Sequence, residues 1–149
     1  MINNHLIIDA MAMQQVKARY DEAEKNNNTE GMEAARKSYQ ALSQRIENRG
    51  AGYAKVYRLY EEAVERGNEH IDLTEVIWDK DVESLIQLLR ENGVEYFTFS
   101  STWSSAVEIA WLFTQNGCTL EGLVEINSPN TNTFTGEREK AHGYLFAIH

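Results

Sequence analysis

Apolar residues in the first half of the chain recur at helical intervals. They fall at Leu6, Met13, Val16, Tyr20 and Ala23, and again at Met32, Ala35, Tyr39, Leu42 and Ile46. Such steps keep one stripe of an α-helix apolar. Between the two stripes lies Asn26-Asn27-Asn28-Thr29, a run of helix-capping residues. Two amphipathic helices joined by so short a polar turn predict an antiparallel hairpin. Arg49-Gly50-Ala51-Gly52 then breaks the pattern. A third stripe, Tyr53, Val56, Tyr57, Tyr60 and Val64, runs to a stop near Gly67-Asn68.

After residue 70 the period changes. Ile71–Trp78, rich in β-branched and aromatic residues, reads as a strand or a helical turn. Asp81 stands where it would cap a helix over Val82–Glu91, which Asn92-Gly93 would stop in the left-handed region. Val94–Ser100 predicts a strand, and Ser101 or Thr102 the cap of a helix reaching Asn116, closed by Gly117. Leu120–Asn127 alternates as a half-buried strand does. Ser128–Glu139, polar and holding the only proline, reads as a long hairpin loop. Gly143–His149 is apolar on both faces, as in a strand covered on both sides. The fold class predicted is mixed α and β. An N-terminal helical hairpin plus a third helix (1–70) precedes a small mixed β-sheet unit of (β)αβαββ order (71–149), packed as one compact domain.

Composition narrows the chemistry. No apolar run approaches the ~20 residues that span a bilayer, so no membrane is expected as a partner. Met1–His5 lacks the basic and apolar regions of a secretory signal, and cytoplasmic residence is the expectation. The single cysteine, Cys118, permits no internal disulfide and reads as a small buried residue beside a helix end. His5, His70, His142 and His149 form no i, i+4 pair, so no metal and no cofactor is expected. His142, Glu108 and Ser101 are the one set that a fold would have to assemble as base, orienter and nucleophile, and no catalytic residue is assigned.

Charge is spread unevenly. Residues 1–70 carry eleven acids and ten bases, whereas 71–149 carry twelve acids against Lys80, Arg90, Arg138 and Lys140. A surface this negative repels a phosphate backbone and attracts basic protein grooves, which disfavours direct nucleic-acid binding. Glu121, Glu125, Glu137 and Glu139 are the acids expected to meet such a partner. Glu108 and Trp111 join them. On the predicted helix Trp111 shares a polar side with Ser104, Glu108 and Gln115, opposite Trp103, Ala106, Val107, Ala110, Phe113 and Thr114. A tryptophan beside a carboxylate is the arrangement of a partner-binding anchor. The plainer expectation has Trp111 covered by the N-terminal helices. The stripes Met32–Ile46 and Tyr53–Val64 are the surfaces through which a homodimer would form.

A second candidate site is Ser100, Ser101, Thr102 and Ser104, hydroxyls gathered where a strand gives way to a helix. A helix N-terminus suits an anion, and a small-ligand or anion-binding enzyme would use these residues. The stretch has neither the glycines nor the lysine of a phosphate-binding loop, and capping accounts for it equally well.

Three segments, FTFSSTWSSAVEIAWLF (97–113), GCTLEGLVEINS (117–128) and EREKAHGYLFAI (137–148), resemble a family of short acidic bacterial proteins associated with mobile elements of gut anaerobes. The resemblance covers roughly the C-terminal third and carries no catalytic residue. It implies, by association, a non-enzymatic inhibitor of host defence of the anti-CRISPR kind, whose partner would be a nuclease of a bacterial defence system.

Overall fold

The computed structural model describes residues 1–75 and 77–149. Among them are five α-helices, α1 (Asn4–Lys25), α2 (Thr29–Asn48), α3 (Ala51–Arg66), α4 (Val82–Glu91) and α5 (Ala106–Gln115). Four strands accompany them: β1 (Ile71–Leu73), β2 (Tyr96–Phe99), β3 (Cys118–Thr131) and β4 (Arg138–Ile148). The chain is thus helices followed by a four-stranded mixed sheet, the α+β arrangement that the two hydrophobic periods predict. None of the described helices is long and apolar enough to cross a membrane. Contacts divide the chain into two compact units, Asn3–Tyr57 and Arg58–His149 with Met1–Ile2, the division falling inside α3.

In the first unit α1 and α2 pack against each other as the predicted hairpin. Their turn is made by the asparagine run. Asn27 takes a positive φ of 53°, and the Asn28 side chain accepts the Gly31 N–H at 2.9 Å to cap α2. Leu6, Ala10, Met13 and Val16 on α1, and Ala35, Leu42 and Ile46 on α2, are buried. Tyr53, Val56 and Tyr57 are buried on α3, whereas Tyr39 stays exposed. Ala51 and Gly52 belong to α3, so Arg49-Gly50 alone makes the break.

Asp9 is buried among these apolar neighbours, where a lone carboxylate would be costly. It is not alone. Arg45 donates to Oδ1 at 2.8 Å, Arg49 to both oxygens at 2.9 and 3.2 Å, and the Tyr53 hydroxyl to Oδ2 at 2.6 Å. One carboxylate on α1 is thereby tied to the last turn of α2, to the residue that follows it and to the start of α3. Burial pushes its pKa up, but the hydrogen bonds from Arg49, Tyr53 and Arg45 outweigh that and hold it below the usual carboxylate value.

In the second unit the strand order is β1-β2-β4-β3, with β1 parallel to β2 and the other neighbours antiparallel. β4 is an inner strand and buries the adjacent residues Phe146 and Ala147 on opposite faces, which explains its double apolar pattern. One face carries Phe97, Phe99 and Phe146, and Phe113 of α5 sets its ring edge-on to all three at 5.1–5.3 Å. α4 packs beside α5 and buries Val82, Leu85, Ile86 and Leu89. Arg90, at the end of α4, donates to the carbonyls of Asn116 and His149, both at 3.0 Å, so it caps α5 and fastens the end of β4.

Several boundaries differ from expectation for identifiable reasons. The strand read over 71–78 is three residues long, and Val76 lies outside the described residues. Asp81 makes no side-chain cap, because Asp79–Asp81 already form a single 3-10 turn leading into α4. α5 starts at Ala106, not after Ser101 or Thr102, since Trp103–Ser105 close a turn first. Half of the polar stretch 128–139 is strand: β3 runs to Thr131 and β4 begins at Arg138, leaving a tip of 132–137. Asn132 organises that tip by accepting the N–H groups of Phe134 and Thr135.

Candidate functional site

The geometry of the α5 face starts from a bulge in β3. Leu120 pairs with Phe146, but Gly122 pairs with the next residue, Leu145, so Glu121 is the extra one. Gly122 at φ 155° supplies a conformation that a side chain would resist. The bulge shifts the alternation. Leu123 pairs with Tyr144, and Tyr144 with Phe99, so all three point to the face on which Phe113 lies. Glu125, opposite His142, follows on that face.

These residues remain in water. Leu123 is 63% exposed, and Leu120 and Tyr144 are about half exposed. On α5 the packing face is Ile109 and Phe113, which leaves Val107 (79% exposed) and Trp111 (57% exposed) outward four residues apart, with Trp103 exposed in the turn ahead of the helix. Trp111 is therefore not covered, and Trp103, Val107 and Thr114, read from the spacing as core-facing, stand in solvent. The shift arises because Ile109, not Ala106 or Ala110, centres the buried stripe. Exposed aromatic and aliphatic side chains at this density are uncommon on a surface with no docking role.

Carboxylates surround them. Glu108 is on α5 beside Trp111, and Glu121 and Glu125 flank Leu123 on β3, all exposed. Among the described residues, no ion pair engages Glu108, Glu121, Glu125, Glu137 or Glu139. The nearby bases are spent elsewhere: Arg90 on backbone carbonyls, Arg138 on the Pro129 carbonyl at 3.3 Å, and Lys140 on the Asn127 side chain. The structure thus gathers Glu121 and Glu125 on β3 and Glu108 with Trp111 on α5. Glu137 and Glu139 go to the far end of the β3–β4 hairpin, beside the fully exposed Phe134.

The serine-rich junction is built differently from its sequence reading. Ser100 Oγ donates to Asp72 Oδ2 at 2.8 Å, and Thr98 Oγ1 to Asp72 Oδ1 at 2.6 Å. Asp72 is 5% exposed and lies in the middle of β1, opposite Thr98 of β2, and its carboxylate reaches Ser100 just past the end of β2. Burial pushes its pKa above the usual value, against the two hydroxyl bonds and the charge of Arg66, which lower it. A carboxylate at this point is a poor neighbour for an anion. Ser101 accepts the Trp103 N–H at 3.4 Å, while Thr102 and Ser104 are exposed ahead of the helix. Asp72 had no signal in the sequence, because its partners lie 26 and 28 residues away.

Among the described residues, no hydrogen bond joins Ser101, Glu108 and His142, and no cluster of His, Cys, Asp or Glu converges as a metal site. Cys118 is buried, and its burial pushes the thiol pKa up to about 11, against a small opposing effect of Arg90.

The fold defines the class of the protein as α+β, helices followed by a four-stranded mixed sheet. Residues 55–148 match the family described as a domain of unknown function (DUF7698), and the chain belongs to that family. The match begins in α3 and takes in all of the sheet, α4 and α5. No curated protein and no solved structure matches the chain.

Proposed function

We propose that the second unit is a non-enzymatic protein-docking module, and that the face built from α5 and β3 receives a basic protein surface. One observation carries this reading: exposed Trp103, Val107 and Trp111 stand on the same side of the sheet as Leu123 and Tyr144, with carboxylates that form no ion pair among the described residues. Apolar anchors supply the lasting contact and the acids supply steering. The excess of acid over base in residues 71–149 has the sign that draws proteins which themselves bind nucleic acid. Joined to the resemblance to short acidic proteins of mobile elements, the reading makes the chain an inhibitor of a nucleic-acid-handling defence protein, anti-CRISPR-like in logic.

The competing reading, a small-ligand or anion-binding enzyme at Ser100–Ser104, is weakened by Asp72, which already takes the Ser100 hydroxyl. The test is capture from bacterial lysate by the immobilised chain and by its Trp111→Ala variant, at low and high salt. The docking reading expects a basic protein held by the native chain, released by salt and lost from the variant. Equal capture by both chains, or no basic protein from either, would overturn it.

A further inference from the structure

We propose that the outer edge of β3 at Leu123–Glu125 accepts an extended basic segment of the partner as an added strand, an inference that rests on the docking reading above. β3 is the last strand of the sheet and pairs only with β4. Which of its backbone groups face outward follows from hydrogen bonds at three residues. Ile148 N–H points to Glu95 and His149 N–H to Gly117, so the odd-numbered residues of β4 turn their backbone groups toward β3. Their partners Gly122, Val124 and Ile126 therefore turn inward, and Leu123, Glu125 and Asn127 turn outward.

The third bond pair shows what the edge is fitted to hold. At Asn127 the outward N–H donates to the Asn68 side-chain oxygen at 2.8 Å, and the outward carbonyl accepts from the Asn68 amide at 3.0 Å. A primary amide making both bonds does there what a neighbouring strand would do. Asn68 is itself fixed by the end of α3, where its N–H closes on the Ala63 carbonyl at 2.9 Å and Gly67 takes φ 71°. Two and four residues earlier, at Glu125 and Leu123, the same edge carries no such cover among the described residues. A cleft of about 240 Å³, lined in part by Asn68, Glu69, His70 and Glu125, opens beside it. Asn68 thus sets where an added strand must end.

The side chains specify the occupant. Leu123 and Glu125 share one face, and Glu121 stands in the bulge just before them, so the strand laid against them needs an apolar and a basic residue at alternate positions. A second copy of this chain is the wrong occupant, because an antiparallel pairing centred on Leu123 sets Glu121 against Glu125 of the other chain.

The experiment is backbone amide hydrogen exchange, followed by NMR, on the full chain with and without a synthetic peptide that carries valine and lysine at alternate positions, spaced by threonine. Slowing of the Leu123 and Glu125 amides by about tenfold or more supports the proposal, since these N–H groups have no partner in the sheet. Glu125→Pro removes an outward N–H and no bond to β4, and it should abolish the protection while leaving the remaining β3 and β4 amides unchanged. Glu121→Lys with Glu125→Lys should do the same without a proline. Unslowed Leu123 and Glu125 amides, whether the peptide binds elsewhere or not at all, overturn the added strand. Loss of captured basic protein from Trp111→Ala would in that case still uphold the docking reading. Protection that grows with protein concentration in the absence of peptide identifies a second copy and also overturns it.

Discussion

Replacing Asp9 by asparagine keeps the shape of the side chain and removes its charge. The carboxylate accepts two N–H bonds on Oδ1 and one N–H and one O–H bond on Oδ2, all from Arg45, Arg49 and Tyr53. An amide offers one oxygen, so two of the four bonds are lost and an NH₂ group is turned toward donors. Hydrogen bonds to a charged group each contribute about 1.5–3 kcal/mol. Asp9 is fully buried while Arg45 is half exposed, so the arginines regain some water and the estimate belongs at the range for breaking a buried pair, about 3–5 kcal/mol. Urea unfolding followed by far-ultraviolet circular dichroism measures this, because α1, α2 and α3 make up most of the helix. The pH dependence has a definite sign. Asp9 is lowered in the folded chain, so its contribution is present above the unfolded carboxyl value of about 3.9 and is lost as pH falls through the lower folded value. The gap between native chain and Asp9→Asn must therefore close on acidification. A cost under about 1 kcal/mol, or a gap that does not change with pH, would refute the reasoning. Should Asp9→Asn fail to fold, Tyr53→Phe removes one bond and gives the smaller shift of about 1–2 kcal/mol.

Two further expectations concern the second unit, whose Trp78, Trp103 and Trp111 make fluorescence the convenient probe. Arg90→Ala takes donors from the Asn116 and His149 carbonyls and should lower stability by about 1–3 kcal/mol in urea, whereas an effect under a few tenths would show the clasp to be idle. Asp72 behaves oppositely to Asp9: its pKa is raised, so the folded chain keeps the proton longer, and stability falls as pH rises from about 3.9 through the raised folded value. Asp72→Asn should flatten that slope in unfolding curves taken across the window, and an unchanged slope would remove Asp72 as its source.

Local signals were readable where local physics decides. The asparagine turn, the glycine stops at Gly93 and Gly117, and the periods of α1 to α4 all follow from residues within a few positions of one another. The polar strand 128–131 was hidden because Pro129, Asn130 and Thr131 are all exposed and the register is irregular between Asn127 and Thr131, so no alternation shows. The start of α5 was obscured because Ser101, Thr102, Ser104 and Ser105 are all good caps, and the turn at Trp103 chose among them. Asp9 was invisible for a different reason: its partners lie 36 to 44 residues away, and an aspartate within an apolar stripe carries no sign of who will meet it. At the candidate face, composition disclosed the charge, and helical spacing set Trp111 on a polar side, where it is exposed. The bulge at Glu121 that places Leu123 and Glu125 beside Tyr144 needed the pairing register.

The central claim separates charge from anchor, and association kinetics test that separation most directly. With the captured basic protein as the partner, Glu121→Lys with Glu125→Lys should slow association by about tenfold or more at low salt and leave dissociation nearly unchanged. Trp111→Ala should speed dissociation by a comparable factor and leave association nearly unchanged. Rate constants that none of these substitutions moves, or an association rate indifferent to salt, would contradict the account.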